Sequence, residues 1–180
     1  IFLAPGSGSD IVNGGAGTND TVRLLNYIDV LGTGNPNATT FTISSPLSDL
    51  DISTASTDLL IVADIGNAPV PVLGLADYQV LMDNVEEIEI YLGAGGDTVV
   101  ISGPLGGTSL LINTISVQGG TGNDTVDAGA LTDNALANSL IGIDFFGGGG
   151  DDTLISGAGD DEFDGGAGTG DTVDFSGSTE

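Results

Sequence analysis

Between Ile88 and Leu154, apolar residues alternate with polar ones over short stretches and then give way to glycine. Ile88 and Ile90, Ile115 and Val117, and Ile143 and Phe145 are pairs two residues apart. That spacing puts each pair on one face of a strand, directed inward. A glycine-rich turn follows each pair, and then a further apolar residue at Val99, Val126 or Leu154. The recurrences are 27 and 28 residues apart, and Asp97, Asp124 and Asp152 keep the same steps. Strands and turns repeating in a fixed order predict successive coils of a solenoid. A coil of that length holds about three short strands, so the section 85–155 reads as a wide parallel β-helix. From Asp152 to Asp171 the step shrinks to 19, which predicts a narrow roll over 156–180.

The turns themselves repeat on a shorter period. GGTGNDTVD (119–127) and GGGGDDTLI (147–155) fit G-G-x-G-x-D-x-U-x at every fixed place, U being a large apolar residue. SGAGDDEFD (156–164) differs only at Ser156, and GGAGTGDTVD (165–174) carries one extra residue before Asp171. Looser copies are PGSGSDIVN from Pro5, GGAGTNDTVR from Gly14 and LGAGGDTVV from Leu92. The motif resembles the calcium-binding nonapeptide of the RTX, or haemolysin-type, family. That resemblance implies six-residue turns, three-residue strands, calcium between stacked turns, and export by a type I system. The expected fold is all-β: a right-handed parallel β-solenoid, a β-helix grading into an RTX-type β-roll.

A third period joins the two ends. Residues 6–22, GSGSDIVNGGAGTNDTV, align without gaps to 157–173, GAGDDEFDGGAGTGDTV, at a shift of 151, with 11 of 17 residues identical. The sequence therefore reads as one long unit of a tandem array: 1–22 closes a preceding unit and 156–180 opens the next. Very large secreted or surface bacterial proteins with NVE-x-I…GAGNDTV sequences look similar, and NVEEIEIYLGAGGDTVVI stands here at 84–101. The non-repetitive section 23–84 has strand-like runs at 40–44, 58–63 and 78–82, with breaks at NPNA (35–38) and APVP (68–71). It is expected to form further coils or a protruding sheet.

Charge sharpens this picture. The chain holds 26 Asp and Glu against one basic residue, Arg23, for a net charge of −25. A compact state so charged repels itself unless cations bind. Nucleic acid and anionic membrane are excluded as partners, since both need a basic footprint, and no run of 18 apolar residues exists to insert into a bilayer. Without cysteine or histidine, any metal must sit among oxygens, which favours calcium, magnesium or manganese. The missing histidine also removes the commonest general base and the His-dependent nucleophilic triads. Lyase chemistry would need a base that only Arg23 offers, so the chain reads as non-catalytic.

Physical chemistry explains the residue types. Glycine permits positive φ and close approach of backbone carbonyls to an ion, and aspartate at the sixth place brings the charge. Stacked coils lie about 4.8 Å apart, so bare Asp97, Asp124 and Asp152 would repel by roughly 1–3 kcal/mol per neighbour pair. A divalent ion between them reverses the sign and makes binding energy folding energy. Several Ca2+ ions are thus expected, between Asp97 and Asp124, Asp124 and Asp152, and Asp152 and Asp171. Asp161 falls on the opposite side, and Asp10 and Asp20 are expected to pair with adjacent units or other coils. Gly95, Gly122, Asn123, Gly150, Asp151, Gly159, Asp160 and Gly168 complete the candidate set.

Glu86, Glu87 and Glu89 read as a solvated strand face and Arg23 as a solvated charge. Thr21, Thr98, Thr125, Thr153 and Thr172 read as an outward ladder too broken for ice binding. The resulting expectation is a calcium-binding structural module of an extracellular surface layer, filament or giant adhesin, with other copies or adjacent repeat units as partners. The alternatives are a carbohydrate- or partner-binding module, or a non-catalytic accessory domain of a β-helical polysaccharide-active enzyme.

Overall fold

The computed structural model describes residues 2–3, 8–14, 20–25, 39–44, 59–65, 78–105, 108, 110, 115–132 and 141–178. Their regular elements are 14 strands. They are β1 (Phe2–Leu3), β2 (Gly8–Asn13), β3 (Thr21–Leu25), β4 (Thr39–Ser44), β5 (Leu59–Ile65), β6 (Tyr78–Asp83), β7 (Glu87–Ala94) and β8 (Thr98–Pro104), followed by β9 (Ile115–Thr121), β10 (Thr125–Thr132), β11 (Ile143–Gly149), β12 (Thr153–Ile155), β13 (Glu162–Asp164) and β14 (Thr172–Asp174). Two sheets result. One has the order β1-β3-β7-β9-β11-β13, the other β14-β12-β10-β8-β4-β5-β6-β2.

From β7 onward the chain alternates between the sheets, and every pairing is parallel. This is a parallel β-solenoid. Its inward residues form ladders along the axis. Val22, Ile88, Ile115 and Ile143 are consecutive register partners in the six-stranded sheet, as are Leu24, Ile90, Val117, Phe145 and Phe163. Facing them, Phe41, Val99, Val126, Leu154 and Val173 run through the eight-stranded sheet. All are buried except Phe163 and Val173, which are half-buried. Each full burial contributes roughly 1.5–3 kcal/mol, and the Phe145 and Phe163 rings stack with centroids 5.3 Å apart.

The long coils contain two strands among the described residues, against the expected three. Most of the remainder, 106–114 and 133–140, lies outside the described residues. Their unequal lengths are reconciled inside a strand. Thr125–Asp127 pair with Thr98–Val100, but Ala130–Thr132 pair with Ser102–Pro104, so a bulge at Ala128–Gly129 takes up one residue. From Thr132 to Ile143 the chain then runs the same distance as from Pro104 to Ile115. The step of 28 rather than 27 is therefore this bulge.

The described strands β4 to β6 of the non-repetitive section build sheet rather than coil. β4 lies parallel to β8, β5 antiparallel to β4, and β6 antiparallel to β5, before β2 resumes the parallel order. It is an antiparallel meander set into the eight-stranded sheet, in line with the solenoid strands and not protruding from it. The NPNA and APVP breaks lie outside the described residues.

Candidate metal centre at the turn aspartates

The turns leading from the six-stranded to the eight-stranded sheet are stacked backbone on backbone. Gly122 has φ +130°, and a Cβ there would stand 1.7 Å from the Gly95 carbonyl oxygen; Gly150 repeats this at 1.8 Å from the Gly122 oxygen. A side chain is excluded twice over, by conformation and by space. The Gly122 amide donates to Gly149 O at 2.7 Å, and the Gly150 amide to Ala167 O at 3.0 Å. Gly168 stands over Gly150 in the last turn, where a Cβ would meet the Gly150 oxygen at 1.9 Å.

This stacking brings Asp97, Asp124, Asp152 and Asp171 into one column, each just ahead of the threonine that opens the next strand. The backbone amide of Asp97 donates to Asp124 Oδ1 at 2.8 Å, that of Asp124 to Asp152 Oδ1 at 2.8 Å, and that of Asp152 to Asp171 Oδ1 at 2.9 Å. Asp124 and Asp152 are 1% and 0% exposed, yet Oδ2 of each has no hydrogen bond. Leaving a buried carboxylate oxygen unpaired costs about 1–3 kcal/mol or more. Burial pushes the Asp124 carboxyl up to about 6, against the lowering effect of the Asp97 amide and with added push from Asp152. Burial raises Asp152 as well, and the Asp171 and Asp151 charges add to it.

An oxygen-seeking cation fits these orphaned atoms. Among the described residues no three acidic side chains converge to hold an ion by themselves. The column supplies one carboxylate per coil, so a full ligand set must draw on backbone carbonyls of the turns.

A second column flanks the first. Asn123 Oδ1 accepts the Asp151 amide at 3.0 Å. Asp151 Oδ1 in turn accepts the amides of Thr169 and Gly170 at 3.1 and 3.0 Å. The extra residue of the last turn is thus wrapped around the Asp151 carboxylate.

The opposite turns are built differently. Asp161 is satisfied by its own chain: its carboxylate accepts from the Ile143 amide at 2.9 Å, Ser156 Oγ at 2.5 Å and the Gly157 amide at 3.3 Å. Gly159, at φ +106°, packs on the Ile141 carbonyl, and Asp160 is exposed. Asp20 meets Glu86, whose Oε2 accepts the Asp20 amide at 2.8 Å, while Asp20 Oδ2 is buried without a hydrogen bond. Asp10 lies inside β2, in register with Val80, whereas the column aspartates precede their strands.

Two readings of the acidic run 86–89 need correction. Glu86 is 9% exposed and takes the place of a turn aspartate. The signal was present: Glu86 stands two residues before Ile88 as Asp97 stands before Val99, because the turn geometry tolerates either carboxylate. Arg23 is not simply solvated; Nε and Nη2 grip both carboxylate oxygens of Glu89, which also accepts from the Tyr91 hydroxyl. That pairing, Arg23 foremost, holds the Glu89 carboxyl below its usual range. Thr40, Thr98, Thr125, Thr153 and Thr172 are register partners. Thr21 stands on the other sheet, donating to Glu87.

Parallel strands from β7 onward, joined by stacked Gly/Asp turns with one carboxylate per coil, buried at Asp97, Asp124 and Asp152, define a β-roll of the nonapeptide type. The family model of the RTX calcium-binding nonapeptide repeat matches in four copies, at residues 6–22, 116–133 and 144–170. These segments are RTX repeats, and the chain carries a calcium-binding repeat module. No curated protein and no solved structure matches it.

Proposed function

We propose that the chain is a calcium-dependent structural module of an extracellular surface layer, filament or giant adhesin. The observation that carries this reading is the column of buried carboxylates whose second oxygens, at Asp124 and Asp152, have no protein partner. Bound calcium would supply positive charge and demand six to eight oxygens. Asp97, Asp124, Asp152 and Asp171 would hold it with the carbonyls of Gly95, Gly122, Gly150 and Gly168. Asn123 and Asp151 line the exposed side of the same turns. Asp20, Asp160, Asp161 and Gly159 belong to the opposite side, where Asp20 with Glu86 is the better candidate, whereas Asp10, near the start of β2, stands toward the same end of the eight-stranded sheet as Asp97.

Folding and binding are then one equilibrium. The apo chain carries a net charge of −25 and buried anions; with calcium the same residues become cross-links between coils. An extracellular setting supplies the cation, at levels matched to the weaker class of protein sites. The module's role is mechanical rather than catalytic, and its one basic side chain is engaged by Glu89.

Circular dichroism of the chelated chain, titrated with calcium and separately with magnesium, tests this. A cooperative gain of β-signal with calcium is expected. Full β-structure that a chelator cannot remove would overturn the mechanism.

A further inference from the structure

The shift of 151 that relates the two ends of the sequence also relates their strands. It carries β1, β2 and β3 onto β12, β13 and β14. Corresponding positions meet different surroundings at the two ends. Val12, Val22 and Leu24 are 6%, 1% and 2% exposed. Their counterparts are Phe163, Val173 and Phe175; the first two are half-buried and Phe175 is 68% exposed.

The first set is covered because β6 pairs with β2 and β7 pairs with β3. In the turn between them, Glu86 accepts the amide of Asp20, the counterpart of Asp171. At the other end, β13 and β14 are edge strands whose outer sides carry no strand among the described residues. An edge of this kind is a template for further pairing.

We infer that the β13–β14 end is a docking surface for a second unit of this sequence, which adds a strand of the β6 type to β13 and one of the β7 type to β14. This rests on the repeat-module reading above and specifies its partner. Phe175 then becomes a strand residue beneath a β7-type partner, as Leu24 is. The Glu86 equivalent of the second unit caps the Asp171 amide and adds its carboxylate to that turn. One position does not transfer: Arg23 corresponds to Asp174, so the Glu89 equivalent meets an acid instead of its guanidinium. The junction is therefore more dependent on cations than the first coils are.

The occupant belongs to the same polypeptide. In a separate copy β6 and β7 are already paired with their own β2 and β3, and could dock only by displacing them. A geometrical result follows. β2 lies in the eight-stranded sheet and its counterpart β13 in the six-stranded one, so the two sheets exchange roles from unit to unit. Successive units are turned half a coil about the axis.

The test is a two-unit chain, residues 1–180 followed by 30–180, which keeps the shift of 151 and retains Asp174 and Phe175 in the first unit, compared with the single chain in calcium. Hydrogen exchange at Phe163, Val173 and Phe175 of the first unit is expected to slow by about tenfold or more relative to the single chain. Phe175→Ser in the first unit is expected to raise the calcium midpoint several-fold, while the same change in the last unit leaves it in place. Equal effects of the two substitutions, unchanged exchange, or a two-unit chain that fails to fold where the single chain folds would overturn the inference. Calcium-dependent folding of the single chain would survive each of those results, and its absence would sink the parent reading alone.

Discussion

The two sides of the roll use the same motif for different ends. On the side of Asp97, Asp124, Asp152 and Asp171, every coil contributes one aspartate in register, and its second oxygen is buried without a bond at Asp124 and Asp152. On the side of Asp161, the carboxylate is spent on three hydrogen bonds from its own neighbourhood. The Asp97 side withholds ligand capacity, while on the other side Asp161 uses it to fasten a turn and Asp20 keeps one buried oxygen unpaired. A matching sequence motif therefore does not by itself leave a carboxylate oxygen unpaired; the neighbours of that carboxylate decide it.

The comparison can be broken most severely at the glycine stack. Gly122→Ala places a Cβ against the Gly95 carbonyl at a left-handed φ, so a loss of about 4 kcal/mol or more is expected in denaturant unfolding with calcium present. A smaller loss would mean that the turns are free to move apart.

Asp124→Asn probes the withheld oxygen directly and should act with opposite signs in two conditions. With chelator it removes a buried, unpaired charge and is expected to stabilise by about 1–2 kcal/mol. With calcium it removes a ligand and is expected to raise the calcium midpoint about tenfold or more. The parent chain offers the same test through pH. Asp124 is raised to about 6 in the fold from a usual value of 3.8, so the folded state binds the extra proton within that window. Stability of the chelated chain should fall as pH rises from about 4 to about 6, by about 2 kcal/mol after screening, and level off above. A rise over that range would contradict the unpartnered charge.

The smallest effect belongs to the other side. Asp161→Asn keeps some acceptor capacity and is expected to cost about 1 kcal/mol with no shift in calcium midpoint. A shift as large as that of Asp124→Asn would erase the distinction between the two sides.

Much of the solenoid was legible in sequence because its contacts repeat. The ladders through Ile88, Ile115 and Ile143, and through Val99, Val126 and Leu154, follow from alternation plus a constant step. The column from Asp97 to Asp171 follows from the same arithmetic. Glu86 was missed because the nonapeptide pattern looks for aspartate among glycines, whereas burial and reach decide the role. The meander of β4 to β6 was not legible either. Its strand-like runs could be found, but antiparallel pairing within the larger sheet depends on partners far along the chain, and no periodicity encodes it.

The bulge at Ala128–Gly129 gives the roll room to drift in sequence. An added residue placed in a turn needs its own fastening, as the last turn has at Asp151, but placed within β10 it leaves Asp124 and Asp152 in line with none. Length variation can accumulate where it is mechanically silent. A lineage of such coils can change its step from 27 to 28 without changing the spacing of the charges on its edge.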